Sequence, residues 1–472
     1  MEKYNYGMIG LGVMGRNLLY NIADNGFSVA GFDLDEQKIK ELKEKSTPTM
    51  RIEGIGSLPE FVSRLETPRK ILLMVPAGKP VDAVLENLIP LLSKGDIVID
   101  GGNSYFKDTN RRVSNLASYG LHFMGMGVSG GEQGARTGPS IMPGGDIEAF
   151  NLVMPMLEAI AAKVNNDACT AYMGKDAAGH YVKMVHNGIE YAIMQLISEA
   201  YDLLRRGAHL DNDQLYEVFK EWNNGEMNSF LIEISRDIFQ QKDPVTGGFL
   251  IDYILDKAGS KGTGKWTSQE AMEVGVAIPT IDAAVTSRTL SSYKDERIQA
   301  SDLYPHKNNG VSENVKEFIQ EVGDALFVST LISYAQGLEL LVKASEEYNF
   351  EIPLKDVVKI WRGGCIIRSG LLEKFYKVYT KTPKLSNILL DNDIADIVKS
   401  KTEALRKVAG FAISNGIPSL GFQTVLAYFD AFTTASLPIN LVQAQRDYFG
   451  AHTYQRIDKE GVFHTIWQST TN

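Results

Sequence analysis

A glycine-rich turn near the N-terminus constrains the fold more than any other feature of this sequence. The pattern Gly-x-Gly-x-x-Gly occupies residues 10–15, between an apolar segment at 7–10 and a helical pattern near 14–25. In a strand–turn–helix unit such glycines let the backbone approach a pyrophosphate, whose charge then lies at the helix N-terminus. This placement favours a dinucleotide site over a structural glycine-rich turn. The predicted cofactor contacts are Gly10, Leu11, Gly12, Val13, Met14 and Gly15.

The N-terminal part of the chain alternates short apolar segments with helical patterns. We predict strands at 7–10, 28–32, 70–75, 96–100 and 121–125, a last strand within 164–173, and helices near 14–25, 36–45, 80–92 and 105–119. That alternation predicts a parallel, doubly wound α/β sheet. Long amphipathic segments follow from residue 176, and the end of the chain is polar, aromatic and aperiodic. We therefore predict an α/β domain at 1–176, an all-helical domain at 177–434 and a C-terminal tail at 435–472.

The helical half contains a weak internal repeat. Residues 215–225, LYEVFKEWNNG, align with residues 354–364, LKDVVKIWRGG, at an offset of 139. Leu, Val, Lys, Trp and Gly coincide, and Glu stands opposite Asp. We interpret the match as a duplicated helical unit, with a chance match as the alternative.

One helical segment, at 179–191, carries a row of polar side chains among apolar residues. Positions 183, 186, 187, 190 and 191 follow i, i+3, i+4, i+7, i+8 spacing and therefore share one face. Such a row can simply face solvent. A mixture of amine, imidazole, amide, carboxylic acid and phenol in a chain with a cofactor motif favours a functional site instead. The residues of this row are Lys183, His186, Asn187, Glu190 and Tyr191.

The residue that follows the second predicted strand bears on the choice of cofactor. Asp33 stands about 20 residues beyond the fingerprint, where a carboxylate accepts hydrogen bonds from the adenosine ribose hydroxyls. The same carboxylate would repel a 2′-phosphate. No arginine follows closely, although Lys38 lies in the next predicted helix. The alternative role for Asp33 or Asp35 is to cap that helix, which suits Asp35.

The composition argues against several classes of function. A net charge of −10 and the lack of a basic run argue against nucleic-acid binding. Cys169 and Cys365 are the only cysteines, and with seven scattered histidines they give neither a disulfide framework nor metal-ligand spacing, so we expect no metal. No apolar run approaches the roughly 20 residues that span a membrane, and the early first strand leaves no room for a signal peptide. We expect a soluble, cytoplasmic protein without membrane contacts.

The tail at 435–472 combines polar and aromatic residues and ends in the apolar stretch GVFHTIW at 461–467. A segment this apolar must pack on something, and a neighbouring subunit is a good candidate.

Further motifs along the chain point to one family. They are DGGNS at 100–104, GVSGGEQGAR at 127–136, KGTGKWT at 261–267, Arg288 within 286–292, and the tail stretch at 443–454. With the helix at 179–191, they resemble the decarboxylating 6-phosphogluconate dehydrogenases over essentially the whole chain. The resemblance implies a Rossmann-like domain, a duplicated all-helical domain, and a tail that enters the partner subunit of a homodimer.

The resemblance also implies a reaction, the oxidative decarboxylation of 6-phosphogluconate to ribulose 5-phosphate and CO2 in the pentose phosphate pathway. By resemblance, Lys183 is the base at the C3 hydroxyl while hydride passes to nicotinamide, and then the acid at the resulting keto oxygen. Burial lowers the pKa of a lysine toward the value that this double role needs. Glu190 is expected to protonate the enediol carbon, which requires it to be neutral at that moment.

The same resemblance assigns the binding groups. The carboxylate and hydroxyls of the substrate are expected to contact Ser129, Gly130, Gly131, His186 and Asn187, and Asn103 is expected to lie between substrate and nicotinamide. The phosphate is expected to contact Tyr191, Lys261 and Arg288. Arg446 and His452 are expected to reach the substrate from the other subunit. The expected cofactor contacts outside the fingerprint are Asp33, Val75, Pro76, Ala77 and Asn103. A guanidinium suits a phosphate dianion because it can donate two parallel hydrogen bonds. The alternatives are a bare turn at 129–131 and plain surface charges at 261 and 288.

Departures from the family's usual pattern concern the cofactor. The family usually has a small non-glycine residue where this chain has Gly12. Its common NADP form has Asn-Arg-Thr where this chain has Asp33-Leu34-Asp35. Both departures make this sequence more similar to NAD-binding fingerprints. We therefore expect NAD as the cofactor, with NADP binding possible but weaker. Pro76 replaces a residue that is often polar in the family, and the sequence indicates no role for it.

Two other functions compete with this interpretation. A non-decarboxylating β-hydroxy acid dehydrogenase of the 3-hydroxyisobutyrate type shares the fingerprint, the Ser-Gly-Gly turn and a helix lysine. Such an enzyme needs neither the duplicated helical half nor the tail. A non-catalytic, nucleotide-sensing protein on the same scaffold predicts loss of the acid/base pair, yet Lys183 and Glu190 are both present.

Overall fold

The computed structural model describes residues 2–44, 46–47, 49–305, 310 and 314–467. The chain divides into two compact units, Met1–Val425 and Leu426–Asn472. The predicted division at residues 176 and 434 stays a prediction.

The first unit begins with a sheet. Its strands are β1 Tyr6–Ile9, β2 Val29–Phe32, β3 Ile52–Gly54, β4 Lys70–Leu73, β5 Ile97–Asp100, β6 His122–Ser129 and β7 Ser140–Gly144. They lie in the order β3-β2-β1-β4-β5-β6-β7, all parallel except β7, which pairs antiparallel with β6. Successive residues of a strand point to opposite faces of the sheet. Leu72 packs in one apolar cluster and Leu73 in another, so both faces of the sheet are covered. The predicted doubly wound fold is confirmed.

The predicted last strand within 164–173 is not one regular strand. This segment forms β8, Lys163–Val164, and β9, Asp167–Ala168, which pair antiparallel with each other. Asn165 and Asn166 between them have positive φ values of 52° and 68°, a tight-turn conformation that asparagine tolerates. After this hairpin the chain runs along the edge strand β7 and pairs with it through one isolated parallel bridge, Ile141 with Thr170. Ile141 N donates to the Cys169 carbonyl oxygen at 2.9 Å, and Met173 N donates to the Pro143 carbonyl oxygen at 2.8 Å.

Helices alternate with the strands of the large sheet. They are α1 Val13–Asp24, α2 Glu36–Glu44, α3 Leu58–Ser63, α4 Lys79–Leu88, α5 Phe106–Ala117, α6 Gly131–Thr137 and α7 Ile147–Ile160. A 3-10 turn at Ile89–Leu91 extends α4. The predicted helices correspond to α1, α2, α4 and α5, and residue 45 lies outside the described residues. The sequence patterns do not predict α3, β3 or α6, which are too short to show a clear period.

A helical part follows within the first unit, and this part of the fold prediction is also confirmed. Its helices are α8 Ala178–Asp202, α9 Asn212–Asn224, α10 Phe230–Gln240, α11 Thr263–Glu273, α12 Pro279–Ser291, α13 Lys294–Leu303, α14 Val315–Glu347, α15 Leu354–Ile360, α16 Leu371–Lys381, α17 Asn392–Ser414 and α18 Leu420–Phe432. Short turns lie at Leu203–Gly207, Leu250–Tyr253 and Ile388–Leu390. The boundary between the two compact units falls within α18.

Helix α14 is the core helix of the helical part and packs against α8 and α17. By length and composition alone it could cross a membrane, contrary to the expectation from the sequence. However, 83% of its most apolar window is buried inside the protein. A helix that is apolar on all sides fits such a buried position.

The order of the helices supports the internal duplication. A long helix and two shorter ones, α8, α9 and α10, recur in order as α14, α15 and α16, and the aligned segments overlap α9 and α15. The two sets meet in a short antiparallel pairing. There Phe230 N donates to Arg368 O at 3.1 Å, and Gly370 N donates to Asn228 O at 2.9 Å.

The second unit contains α19, Ile439–Gly450, followed by extended chain. Asp447 on α19 is fully buried, although most of the unit's side chains are exposed. Its carboxylate accepts hydrogen bonds of 2.8–3.0 Å from Thr453 N, Thr465 N, the His464 ring and the Trp467 indole. These bonds fold the chain after α19 back onto that helix.

Candidate active site

The fingerprint loop joins β1 to α1, and two of its glycines lie against backbone. A Cβ at Gly10, whose φ is +96°, would lie 2.7 Å from the Met74 carbonyl oxygen, and one at Gly15 would lie 1.9 Å from the Gly10 carbonyl oxygen. Both positions therefore require glycine. A Cβ at Gly12 would meet nothing within 4 Å, so the space there is open. The first N–H groups of a helix have no partner within the helix, so this N-terminus suits a pyrophosphate.

Asp33 lies at the end of β2 beside the fingerprint loop. Its carboxylate accepts hydrogen bonds from Leu11 N at 2.7 Å and from Asp35 N at 3.0 Å, and the Lys38 ammonium lies 3.5 Å away. Asp35 accepts from Gln37 N at 3.0 Å. Asp35 therefore caps α2, as its alternative role required. These contacts hold the Asp33 carboxylate beside the fingerprint loop.

Two loops at the carboxyl ends of β4 and β5 carry the residues that are expected to border the nicotinamide. Val75, Pro76 and Ala77 follow β4, and the side chain of Val75 lies 3.1 Å from the Cβ position of Gly10. Asn103 follows β5 and is exposed. The structure indicates no role for Pro76.

The loop that carries Asn103 is held by Asp100, a residue to which the sequence interpretation gave no role. The buried Asp100 carboxylate accepts hydrogen bonds from Gly102 N at 3.0 Å and from the Ser104 hydroxyl at 2.6 Å. Arg112, also fully buried, lies 3.6 Å from the same carboxylate. On the other side the His180 ring is bonded to the Asp100 carbonyl oxygen at 3.0 Å. These partners fix the loop on both sides, and sequence periodicity carries no signal for such contacts.

Helix α8 lies directly on strands β6 and β7. A Cβ at Gly179 would lie 2.2 Å from the Gly125 carbonyl oxygen, and one at Gly127 would lie 2.4 Å from the Lys183 Cβ. The contact of α8 with the sheet therefore depends on glycines in both elements. One turn after Gly179, it places the side chain of Lys183 against β6 with only 5% of the residue exposed.

Lys183 and Glu190 have opposed pKa shifts. Burial lowers the pKa of Lys183 because it disfavours the charged ammonium, and the charge of Glu190 opposes this shift. Burial raises the pKa of Glu190 because it disfavours the carboxylate, and the charges of Lys183 and Arg288 oppose it. The two pKa values therefore move toward each other and toward neutrality. Shifts in these directions are the ones that general acid–base catalysis needs in an amine and a carboxylic acid.

His186 is fully buried between these two groups. Burial, and next the charge of Lys183, lower its pKa well below the usual range, so the ring is neutral. Its Nδ1 lies 3.0 Å from Asn187 Oδ1, an oxygen that can only accept, so Nδ1 carries the proton. Nε2 is then an acceptor for the Ser129 hydroxyl at 3.3 Å. This chain of bonds joins α8 to the turn at residues 129–131.

Two of the expected phosphate-binding groups, Tyr191 and Arg288, are in contact at the C-terminal end of the polar row. The Arg288 guanidinium lies over the Tyr191 ring, 3.3 Å from its centroid, and donates to the Gly259 carbonyl oxygen at 3.3 Å. A Cβ at Gly264 would lie 2.6 Å from the Tyr191 ring. Lys261 lies in the exposed stretch before α11. The structure thus brings Arg288 and Tyr191 together beside the segment that carries Lys261.

A second loop that the sequence interpretation missed lies beside the turn at 129–131. A Cβ at Gly130, whose φ is +126°, would lie 2.7 Å from the Gly364 carbonyl oxygen, and Ile366 N lies 3.5 Å from the Ser129 hydroxyl oxygen. Cys365, between them, is buried, and burial raises the pKa of its thiol to about 12. The repeat offers the only signal for this loop, since Gly364 ends the aligned segment.

Arg446 and His452 belong to the second compact unit, where both are exposed. Arg446 Nη1 donates to Gln443 Oε1 at 3.1 Å, and the His452 ring packs edge-on against Phe449. Their expected role across a dimer interface stays a prediction. In the described part of the chain, no group of three or more His, Cys, Asp or Glu residues could hold a metal ion.

Two protein-family models match the chain. One, the NAD binding domain of 6-phosphogluconate dehydrogenase, matches residues 5–188. The other, the 6-phosphogluconate dehydrogenase C-terminal domain, matches residues 179–467. The two matches meet in α8, the helix that carries the polar row.

Curated relatives match over almost the full length. The 6-phosphogluconate dehydrogenase, NADP(+)-dependent, decarboxylating, of Bacillus subtilis (strain 168) is 54% identical, with 99% of this chain and 100% of that protein covered. The decarboxylating enzyme of Escherichia coli (strain K12) is 49% identical, with the same coverage. A solved Plasmodium falciparum 6-phosphogluconate dehydrogenase has a TM-score of 0.95 and 43% identity, with 98% of this chain and 100% of that chain covered. That protein was studied apo, with its cofactor NADP+ and with its substrate 6-phosphogluconate.

Proposed function

The chain belongs to the 6-phosphogluconate dehydrogenase family, and we propose that it converts 6-phosphogluconate to ribulose 5-phosphate and CO2. It is an oxidoreductase by family. The observation that carries the proposal is the buried Lys183 and the half-buried Glu190 on α8, with opposed pKa shifts, in a chain that matches decarboxylating relatives over 99% of its length. The cytoplasmic location expected from the sequence stays a prediction.

The fingerprint and the Asp33 carboxylate fit a dinucleotide, since the glycine contacts and the open space at Gly12 leave room for a pyrophosphate. A nicotinamide cofactor held there would supply the hydride acceptor. Lys183, as the free amine, takes the proton of the C3 hydroxyl. As the ammonium it then gives a proton to the C3 keto oxygen while the C1–C2 bond breaks and CO2 leaves. Glu190, in its protonated form, gives its proton to the enediol carbon that was C2 of the substrate and becomes C1 of ribulose 5-phosphate.

The remaining groups bind and orient the substrate in this proposal. The turn of Ser129, Gly130 and Gly131, with His186 and Asn187, contacts the carboxylate and hydroxyls. Because the His186 imidazole is neutral, it can bind a hydroxyl without adding a positive charge beside Lys183. Asn103 lies between substrate and nicotinamide, and the phosphate lies at Tyr191, Lys261 and Arg288. Stacking on Tyr191 favours this role for Arg288, because it orients the guanidinium before a ligand arrives.

The overall reaction gives the first prediction. The purified chain with 6-phosphogluconate should release one CO2 for each reduced cofactor. Lys183→Met should bind the substrate but lose more than about 99% of the activity, because the hydroxyl loses its base and general-base catalysis contributes about 10²–10⁴-fold. Lys399→Met, a change at a lysine whose side chain is 74% exposed on α17, serves as the matched control and should retain full activity.

Reduced cofactor without CO2 would instead identify a β-hydroxy acid dehydrogenase of the 3-hydroxyisobutyrate type. A Lys183→Met variant that kept a tenth of the wild-type rate would remove Lys183 from the chemistry.

The cofactor is proposed to be NAD rather than NADP. The Bacillus subtilis relative is named NADP(+)-dependent, so this preference rests on residues of this chain. Leu11 N donates to the Asp33 carboxylate, which in this proposal faces the ribose hydroxyls, and Leu34, 92% exposed, offers no guanidinium. Two like charges about 4 Å apart repel by about 4 kcal/mol at an effective dielectric of about 20. Lys38 and solvent offset part of this repulsion.

We therefore predict a kcat/KM for NAD about tenfold to a thousandfold higher than for NADP. Replacing Asp33-Leu34-Asp35 by Asn-Arg-Thr should shift the preference toward NADP. Asp35→Asn is the matched control and should change the cofactor preference little, because the Asp35 carboxylate accepts a hydrogen bond from Gln37 N and caps α2. A wild-type kcat/KM that is higher with NADP would contradict the proposal and point to Lys38 as the partner of the phosphate.

The tail is proposed to complete the site of a partner subunit in a homodimer. The second unit exposes many large apolar side chains, among them Leu437, Ile439, Leu441, Val442, Phe449, Val462 and Ile466. A surface of this kind indicates an interaction site. The hydrogen bonds to Asp447 give the unit a defined shape of its own. A second copy of this chain is the partner implied by the family resemblance.

Complementation between two inactive variants tests the tail exchange. Lys183→Met lacks the base, and Arg446→Ala lacks the proposed phosphate contact from the tail. Refolding the two together should restore activity, because one site of each heterodimer then has both groups. Recovery should approach a quarter of the wild-type rate if subunits pair at random. Heterodimers without activity would show that the tail serves its own chain.

A further inference from the structure

A buried carboxylate outside the polar row ties three elements together. Glu270 on α11 is only 1% exposed. Its Oε1 accepts from the Lys107 ammonium at 2.7 Å and from the Tyr105 hydroxyl at 3.2 Å, and its Oε2 accepts from the Tyr348 hydroxyl at 2.9 Å. One side chain thus joins α11 to the start of α5 and to the end of α14. We call these four residues the Glu270 clasp.

Aromatic contacts surround the clasp and fix the same segment. The Tyr105 ring lies 4.9 Å from the Trp266 ring between centroids, and the Phe106 ring lies 4.8 Å from that of Tyr181 on α8. Phe106 also packs against Tyr348, at 5.5 Å. Because their rings pack in these contacts, the side chains at 105 and 106 are held in one arrangement. Closely packed aromatic side chains therefore surround the Glu270 clasp, and a small displacement of one of these groups is transmitted to its neighbours.

The two segments that the clasp joins lead directly to the proposed site. Tyr105 comes two residues after Asn103, which follows β5. On the other side, α11 begins two residues after Lys261, and its Thr267 hydroxyl donates to the Met184 carbonyl oxygen at 3.0 Å. Helix α11 is thus docked on α8 beside Lys183. The clasp is the polar connection from this docked helix to the loop that carries Asn103.

Charge makes the connection strong. A carboxylate removed from water needs a cation or several donors, and Lys107 supplies the cation. The hydrogen bond with Glu270 raises the pKa of Lys107, so the ammonium stays charged across the neutral range. The Lys107 side chain is itself 48% exposed, so it can be replaced without opening the core.

We propose that Glu270 is a positioning residue, which holds the Asn103 loop in register with helix α11, which follows Lys261, and with Lys183 on α8. This inference rests on the proposed dehydrogenase function. Glu270 contacts neither substrate nor cofactor in that function. Its effect is on the alignment of the two, and misplacement by about 1 Å can cost up to a hundredfold in rate.

Replacing the cation of the clasp is the direct test. Lys107→Met should lower kcat about tenfold while the KM values for 6-phosphogluconate and cofactor stay within about twofold, because alignment is lost and the binding groups remain. Lys107→Arg should keep most of the activity. Glu273→Gln, which removes an exposed carboxylate from the same helix, is the matched control and should behave as wild type.

Hydrogen exchange reports on the clasp independently of turnover. In Lys107→Met, peptides covering 101–107 and 263–270 should exchange faster than in the wild type, and peptides of α17 should not. A wild-type protein without dehydrogenase activity would refute the proposed function, and the exchange data would then still show whether the clasp orders both segments. A kcat of Lys107→Met within twofold of wild type would overturn the positioning role, as would unchanged exchange in both segments.

Discussion

The contact between α8 and the sheet is the constraint on which the rest of the site depends. A Cβ at Gly144 would lie 2.3 Å from Gly179 N, and a Cβ at Gly179 would lie 2.2 Å from the Gly125 carbonyl oxygen. Only glycine permits this approach of helix and strand. One turn further along α8, the same approach removes Lys183 from water. Backbone packing thus lowers the pKa of this lysine, because burial disfavours the ammonium.

Residues of helix α8 also contact groups from distant parts of the chain. Its His186 binds the turn that follows β6, and that turn is supported by the loop at 364–366 from the second helical repeat. Further along α8, Tyr191 stacks under Arg288 from α12. The Asn103 loop reaches α8 through His180 and, in our proposal, through the Glu270 clasp. A displacement of α8 would therefore alter every part of the site together.

The sequence predicts those parts of this arrangement that have a local period or a short motif. The fingerprint, the alternation of strands and helices, and the face shared by Lys183 and Glu190 are of this kind, and the fold prediction is confirmed. Contacts between distant residues carry no such period. Asp100 with Arg112, the loop around Cys365, and the clasp on Glu270 bring together residues that are far apart in sequence. The antiparallel strand β7 and the hairpin at 163–168 likewise depend on turn geometry that hydrophobic periodicity does not report.

Burial on α8 lowers the pKa of Lys183, and the proposed role of this lysine as a base depends on that shift. Labelling lysine with 13C at Cε and following the resonance that is missing from Lys183→Arg would measure this pKa directly by NMR. We predict a titration midpoint well below the usual value of about 10.4. In Glu190→Gln the midpoint should fall further, because a nearby negative charge that raises this pKa is removed. A Lys183 midpoint at or above the usual value would contradict the account.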